Sequence, residues 1–127
     1  MYTYAIQKVV KVVDGDTIDA VIDLGFDLTK KERIRLAGID TPESRTRDLE
    51  EKAMGLEAKE YLSMRLKACK KVIVKTEKDG KYGRMLGWLY DEDHNINKDM
   101  ILLGYAWKYD GGKKEKSLKE LRAKRNG

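Results

Sequence analysis

Residues 4–13 are rich in β-branched side chains and predict a first strand. Asp14-Gly15 is a strong hairpin-turn pair, and a second strand follows over 17–24. A loop is expected around 25–31, then a third strand over 33–39. That strand stops at Asp40-Thr41-Pro42-Glu43, because Pro42 has no N–H to give to a ladder. Residues 44–56 are polar and read as a loop running into a helix. From Ala58 onward the apolar positions 58, 61, 62, 66 and 69 keep helical spacing. Cys69 closes that stripe and so reads as a core residue. A fourth strand is predicted over 71–77, a turn at Lys78-Asp79-Gly80, and a fifth strand over 84–90. Residues 91–95 look like a solvated acidic loop, followed by a short helix over 97–103 that Gly104 would cap. A last helix is predicted over 117–124, with Leu118 and Leu121 on its inner side. Five short strands with about three helices give an α+β chain. The fold predicted is a five-stranded Greek-key barrel of the oligonucleotide-binding (OB-fold) type, forming one domain over residues 1–127.

Composition narrows the chemistry. One cysteine allows no internal disulfide or thiolate cluster, and one histidine, His94, removes zinc sites built on several imidazoles. Hydrolytic chemistry here would have to use carboxylates, arginines, lysines or a hard, oxygen-bound metal. No apolar run approaches the roughly 18 residues of a membrane span. Met1 leads straight into an alternating Tyr2-Thr3-Tyr4-Ala5-Ile6 rather than a basic and then an apolar leader. A soluble, cytoplasmic, monomeric protein is therefore expected, unless a secretion leader was removed. Residues 108–127 hold eight Lys/Arg against three acids, which accounts for the whole net charge of +5. Such a basic tail, from about 113 onward, suits a polyanion such as nucleic acid. It is also the ordinary composition of a solvated helix.

Two acidic segments stand out. Asp14-Gly15-Asp16-Thr17 puts two carboxylates at a tight turn, and Asp40-Thr41-Pro42-Glu43 puts two more where a strand ends. Carboxylates gathered at strand ends repel one another unless a cation compensates. With no soft ligand nearby, the natural ion is Ca²⁺, with Mg²⁺ or Mn²⁺ as alternatives. Either segment alone is more often just a turn or a loop. Arg35 faces opposite to Leu36 on the same strand, a direction that could aim it towards a groove; alone, such a residue is more often a surface arginine. Lys81-Tyr82-Gly83-Arg84 sets two cations and an aromatic after a glycine turn, a cluster able to hold phosphates and stack a base.

Together these segments carry a resemblance. Val13-Asp14-Gly15-Asp16-Thr17, Ile34-Arg35-Leu36, Asp40-Thr41-Pro42-Glu43 and Lys81-Tyr82-Gly83-Arg84 occur in the order and approximate spacing of the staphylococcal nuclease (thermonuclease) family. Gly55-Leu56-Glu57-Ala58 and the stretch from Asn97 to Gly104-Tyr105-Ala106 are softer matches. The resemblance runs from about residue 4 to about 122.

It implies a calcium-dependent endonuclease that hydrolyses phosphodiesters of DNA, RNA or both and leaves a 3′-phosphate. By position, Asp16 and Asp40 match the calcium carboxylates, and Thr41 would add its main-chain carbonyl. Asp14 is similar to the acid that orients water on the metal. Glu43 matches the carboxylate that activates or positions the attacking water, and Arg35 and Arg84 the arginines on the scissile phosphate. Lys81 and Tyr82 correspond to phosphate and nucleotide contacts. Where the family's best-known member has two tyrosines on the nucleotide, this chain reads Trp107-Lys108-Tyr109. Tyr109 is the plausible stand-in, and Trp107 is either a stacking face or core. Gly80 stands where that member has an acid. The rival reading is a non-catalytic nucleic-acid-binding module on the same barrel. The presence of all five charged site residues speaks against it.

Overall fold

The computed structural model describes residues 2–77, 85–110 and 116–126. The strands are β1 (Thr3–Asp14), β2 (Thr17–Gly25), β3 (Leu28–Leu36), β4 (Ile39–Asp40), β5 (Val72–Thr76), β6 (Met85–Asp91), β7 (His94–Asn95) and β8 (Trp107–Lys108). The helices are α1 (Leu49–Ala68), α2 (Ile96–Leu102) and α3 (Leu118–Asn126). The main sheet runs β3-β2-β1-β5-β6-β7, and β3 also pairs with β6 in parallel, at Ile34↔Met85 through Leu36↔Gly87. That last pairing closes β1, β2, β3, β5 and β6 into the predicted five-stranded barrel. A closed barrel of this size is filled by side chains. Ile18, Ala20, Ile22, Ile34, Leu36, Val74 and Leu89 fill it, and Ala58, Leu62 and Leu66 of α1 plug one end.

Several element ends differ from expectation. β3 begins at Leu28, inside the expected loop, because Phe26 and Asp27 both take left-handed backbone (φ 55° and 62°) and make a two-residue turn. Such turns match the twist of the strands they join. The predicted third strand splits at Gly38, whose φ of 75° breaks the ladder before β4. A side chain at Gly38 would also meet the Trp88 ring at 2.4 Å.

α1 starts at Leu49, well before Ala58, because the Asp48 carboxylate accepts from the N–H groups of Glu50 and Glu51. Asp48, Glu50 and Glu51 thus cap and charge the helix start favourably. The expected acidic loop is a tight hairpin around Glu92 and Asp93, with Asp91 pairing to His94. Gly104, at φ 82°, follows α2 in the left-handed conformation expected of a helix stop. The predicted turn at residues 78–80 lies outside the described residues.

Candidate active site

Asp16 lies in the turn between β1 and β2, and the next residue, Thr17, pairs with Arg35 across β2 and β3. Asp40 reaches the same spot through β4, which is pinned to β8 by the pairing Asp40↔Trp107. Arg35 joins the two acids. Its Nη2 lies 3.5 Å from Asp16 Oδ2 and 3.5 Å from Asp40 Oδ1. Its Nη1 donates to the carbonyls of Leu36 at 2.8 Å and Ile39 at 3.0 Å, which fixes the guanidinium plane across the Gly38 break. All three side chains are largely covered, with 13–18% of each exposed.

Thr41 orients Asp16 from the other side. Its N–H and hydroxyl donate to Asp16 Oδ2 at 3.3 and 3.0 Å, and the Thr17 hydroxyl donates to Oδ1 at 3.0 Å. Gly15 permits this closeness, since a Cβ there would sit 2.8 Å from Ala58 Cβ and 3.1 Å from Thr41. The Asp14 carboxylate accepts from the Ser44 hydroxyl, tying the second acidic segment to the first.

Glu43 is exposed on the loop after Pro42. Its N–H donates to Glu51 Oε2 at 3.0 Å, and its main chain lies against α1 at Gly55, where a Cβ would come within 2.7 Å of the Glu43 carbonyl. The structure therefore seats this loop on the helix. Lys116, just before α3, pairs with Asp40, and that hydrogen bond holds its ammonium above the usual lysine range. Glu43 and Tyr109 add to the same effect from nearby.

Nothing in the sequence singled out Lys116. It was one cation among eight in the tail, and only the packing of α3 brings it to the site. Tyr109 stays exposed, with its N–H donating to the Gly38 carbonyl at 2.9 Å. Trp107 is core. It packs with Met54 and Leu121, and its indole N–H donates to the Ser117 carbonyl at 3.0 Å. Lys81, Tyr82 and Arg84 lie outside the described residues, although Met85, which follows Arg84, pairs with Ile34 beside Arg35.

The arrangement suits a hard cation. Two mostly covered carboxylates supply hard oxygen atoms, and the Arg35 and Lys116 nitrogens that now face them occupy the place a cation would take. Among the described residues no three His, Cys, Asp or Glu side chains gather into a metal cluster. The remaining ligands of a six- to eight-coordinate ion would therefore be main-chain oxygens and water.

The family model described as "Staphylococcal nuclease homologue" matches residues 33–126. The chain belongs to the staphylococcal nuclease family. An uncharacterized endonuclease of Escherichia coli O157:H7 is 38% identical over 104 residues, which is 81% of this chain and 60% of that protein. A staphylococcal-like nuclease of Arabidopsis thaliana is 40% identical over 79% of the chain and 30% of its own length. A micrococcal nuclease of Shigella flexneri is 34% identical over 80% of the chain and 57% of its own. The chain thus spans about 60% or less of these staphylococcal nuclease relatives. Among the described residues no helix is long and apolar enough to cross a membrane.

Proposed function

We propose that this chain is a calcium-dependent nuclease that hydrolyses phosphodiester bonds of DNA, RNA or both, acting as a monomer. The observation that carries the reading is the meeting of Asp16, Asp40 and Arg35, within 3.5 Å at one nitrogen, next to the loop bearing Glu43. Several relatives named endonuclease or nuclease support its hydrolase part.

Phosphodiesters resist attack because their negative charge repels nucleophiles and concentrates on the leaving oxygen. Asp16, Asp40 and the Thr41 carbonyl would hold Ca²⁺, which when bound supplies Lewis-acid stabilisation of a non-bridging phosphate oxygen. Arg35 and Arg84 give planar, charge-assisted donors to the phosphate, and one well-aimed donor of this kind is worth about 2.7–4 kcal/mol in the transition state. The fixed plane of the Arg35 guanidinium means little ordering is left for the moment of reaction. Glu43 accepts a proton from the attacking water and aims it, a role that typically adds about 10²–10⁴-fold. Its exposure on the loop leaves it open to both water and substrate. Lys81, Tyr82 and Tyr109 hold the flanking phosphate and base.

The test is cleavage of single- and double-stranded DNA and of RNA, in Ca²⁺ and in chelator. Wild type should cut only with Ca²⁺, and Glu43→Gln should lose most of the rate while keeping its fold by circular dichroism. A folded Glu43→Gln protein as fast as wild type would overturn the assignment of Glu43. Binding without cleavage in Ca²⁺ would favour the non-catalytic module.

A further inference from the structure

The pairing of β1 with β2 is interrupted every third residue, with register shifts between Ile6 and Lys8, Val9 and Lys11, and Val12 and Asp14. Each shift inserts one extra β1 residue and so resets which side chains share a face. Ile6, Val9 and Val12 pair with Ile22, Ala20 and Ile18, which are buried. Lys8, Lys11 and Asp14 pair instead with Val21, Asp19 and Thr17, on the opposite face of β2. Lys8 and Lys11 therefore stand in one row, roughly 10 Å or less apart, and the row ends at Asp14 beside the candidate active site.

α1 lies alongside, and its end brings Lys67 and Lys70 to the same place. Together they line a groove of about 450 Å³ whose floor is aliphatic, with Val9, Leu66 and Val72. The lining includes four lysines and no acid. Among the described residues none of the four forms a close ion pair, and Lys11 acts on the Asp19 carboxylate only from a distance. Asp19, opposite Lys11, is already held by Arg33 at 2.8 and 3.0 Å. In the tail, four of the eight Lys/Arg are paired among the described residues. Lys116, Arg122, Lys124 and Arg125 pair with Asp40, Glu50, Glu120 and Glu57. The groove therefore offers four lysines and no acid, whereas part of the tail's charge is already neutralised.

We propose that this groove binds the sugar–phosphate backbone of the substrate nucleic acid, outside the catalytic centre. The identity of the polyanion rests on the nuclease reading above. Lysines on flexible stems meet phosphates as point charges, without reading sequence. The aliphatic floor gives the sugar edges a surface to lie on, and the row on β1 leads the strand towards Asp14.

The experiment uses the full chain and the double variants Lys8→Gln/Lys11→Gln and Lys67→Gln/Lys70→Gln, with Lys75→Gln/Lys98→Gln as a charge-matched control. Affinity for a fluorescein-labelled 20-mer DNA is measured in chelator across a salt series, and cleavage of a dinucleotide in Ca²⁺ is measured alongside. Each groove pair should weaken 20-mer binding several-fold. It should also lower the slope of log affinity against log salt by about 1.4 for single strands or about 1.8 for duplex. Dinucleotide cleavage should be unchanged. An unchanged slope, or an equal loss in the control pair, overturns the proposal. So does loss of binding to phosphatidylserine vesicles with DNA binding intact, which would assign the groove to a lipid surface. A slope change in a protein that never cleaves would keep the groove and remove the hydrolase reading instead.

Discussion

At Gly55 two residue-scale effects oppose each other. Alanine in mid-helix gains about 1 kcal/mol over glycine from propensity alone. Here its Cβ would meet the Pro42 carbonyl at 2.6 Å and the Glu43 backbone at 2.7 Å, and backbone cannot swing aside as a flexible side chain can. Overpacking of this sort costs about 1–3 kcal/mol, so the clash should win or the loop should lift away. Either result moves Glu43. Gly55→Ala is expected to remain helical by circular dichroism and to cleave at least tenfold more slowly than wild type. An undiminished rate would show that the helix contact does not position the base. The same contact gives Gly55 a role that no spacing rule supplies.

At the scale of elements, Asn97 does what a larger interface would otherwise do. It is fully buried, accepts from the Leu89 N–H at 3.0 Å, and donates to the Ala37 and Gly87 carbonyls at 2.8 and 3.1 Å. One side chain thus joins α2 to β6 and to the end of β3. Asn97→Ala would remove a partner from the Leu89 N–H and the Ala37 carbonyl, where each unmet group costs about 1–3 kcal/mol, and would leave a cavity, while the Gly87 carbonyl keeps the Ala37 N–H. A loss of about 2–4 kcal/mol is expected in urea unfolding, with the midpoint shifted and the slope kept.

The elements also show what the sequence could and could not reveal. The five barrel strands were legible because β-branched runs and Asp14-Gly15 are local signals. The start of β3 was not, because its turn uses Phe26 and Asp27 in a conformation usually given to Asn-Gly. The start of α1 was hidden by polar residues whose work is capping at Asp48. Asp16, Arg35 and Asp40 were legible as a group through the resemblance of their motifs to the family, and the β2–β3 pairing accounts for the meeting of the first two. β7 and β8 have two residues each, too few for any periodicity, and exist only through their partners.

On the scale of the whole molecule, charge is redistributed by folding. α3 reads as a free basic arm, yet Arg125 donates to Glu57 at 2.6 Å and to the Gly104 carbonyl at 2.8 Å, and its guanidinium lies over the Tyr105 ring at 4.6 Å. Tyr105 in turn stacks on Tyr61 of α1. The arm is a strap that joins α1 to the end of α2 through Arg122 and Arg125. Net charge counted along the sequence therefore overstates how much of α3 is free for a polyanion.

The parallel pairing that closes the barrel has a consequence in time. β1, β2 and β3 are joined by short turns, so Asp16 and Arg35 can meet through contacts between chain neighbours, whereas Asp40 is held against Trp107, far along the chain. The closing pair joins residues 34–36 to 85–87, and contacts so distant in sequence form late because a long loop must first be restrained. On the proposed function, refolding from urea should then restore calcium uptake, followed with a calcium dye, together with cleavage. Uptake well ahead of cleavage would mean that the acids take shape before the distant pairings form. A nascent chain would be unable to cut until its last elements had emerged.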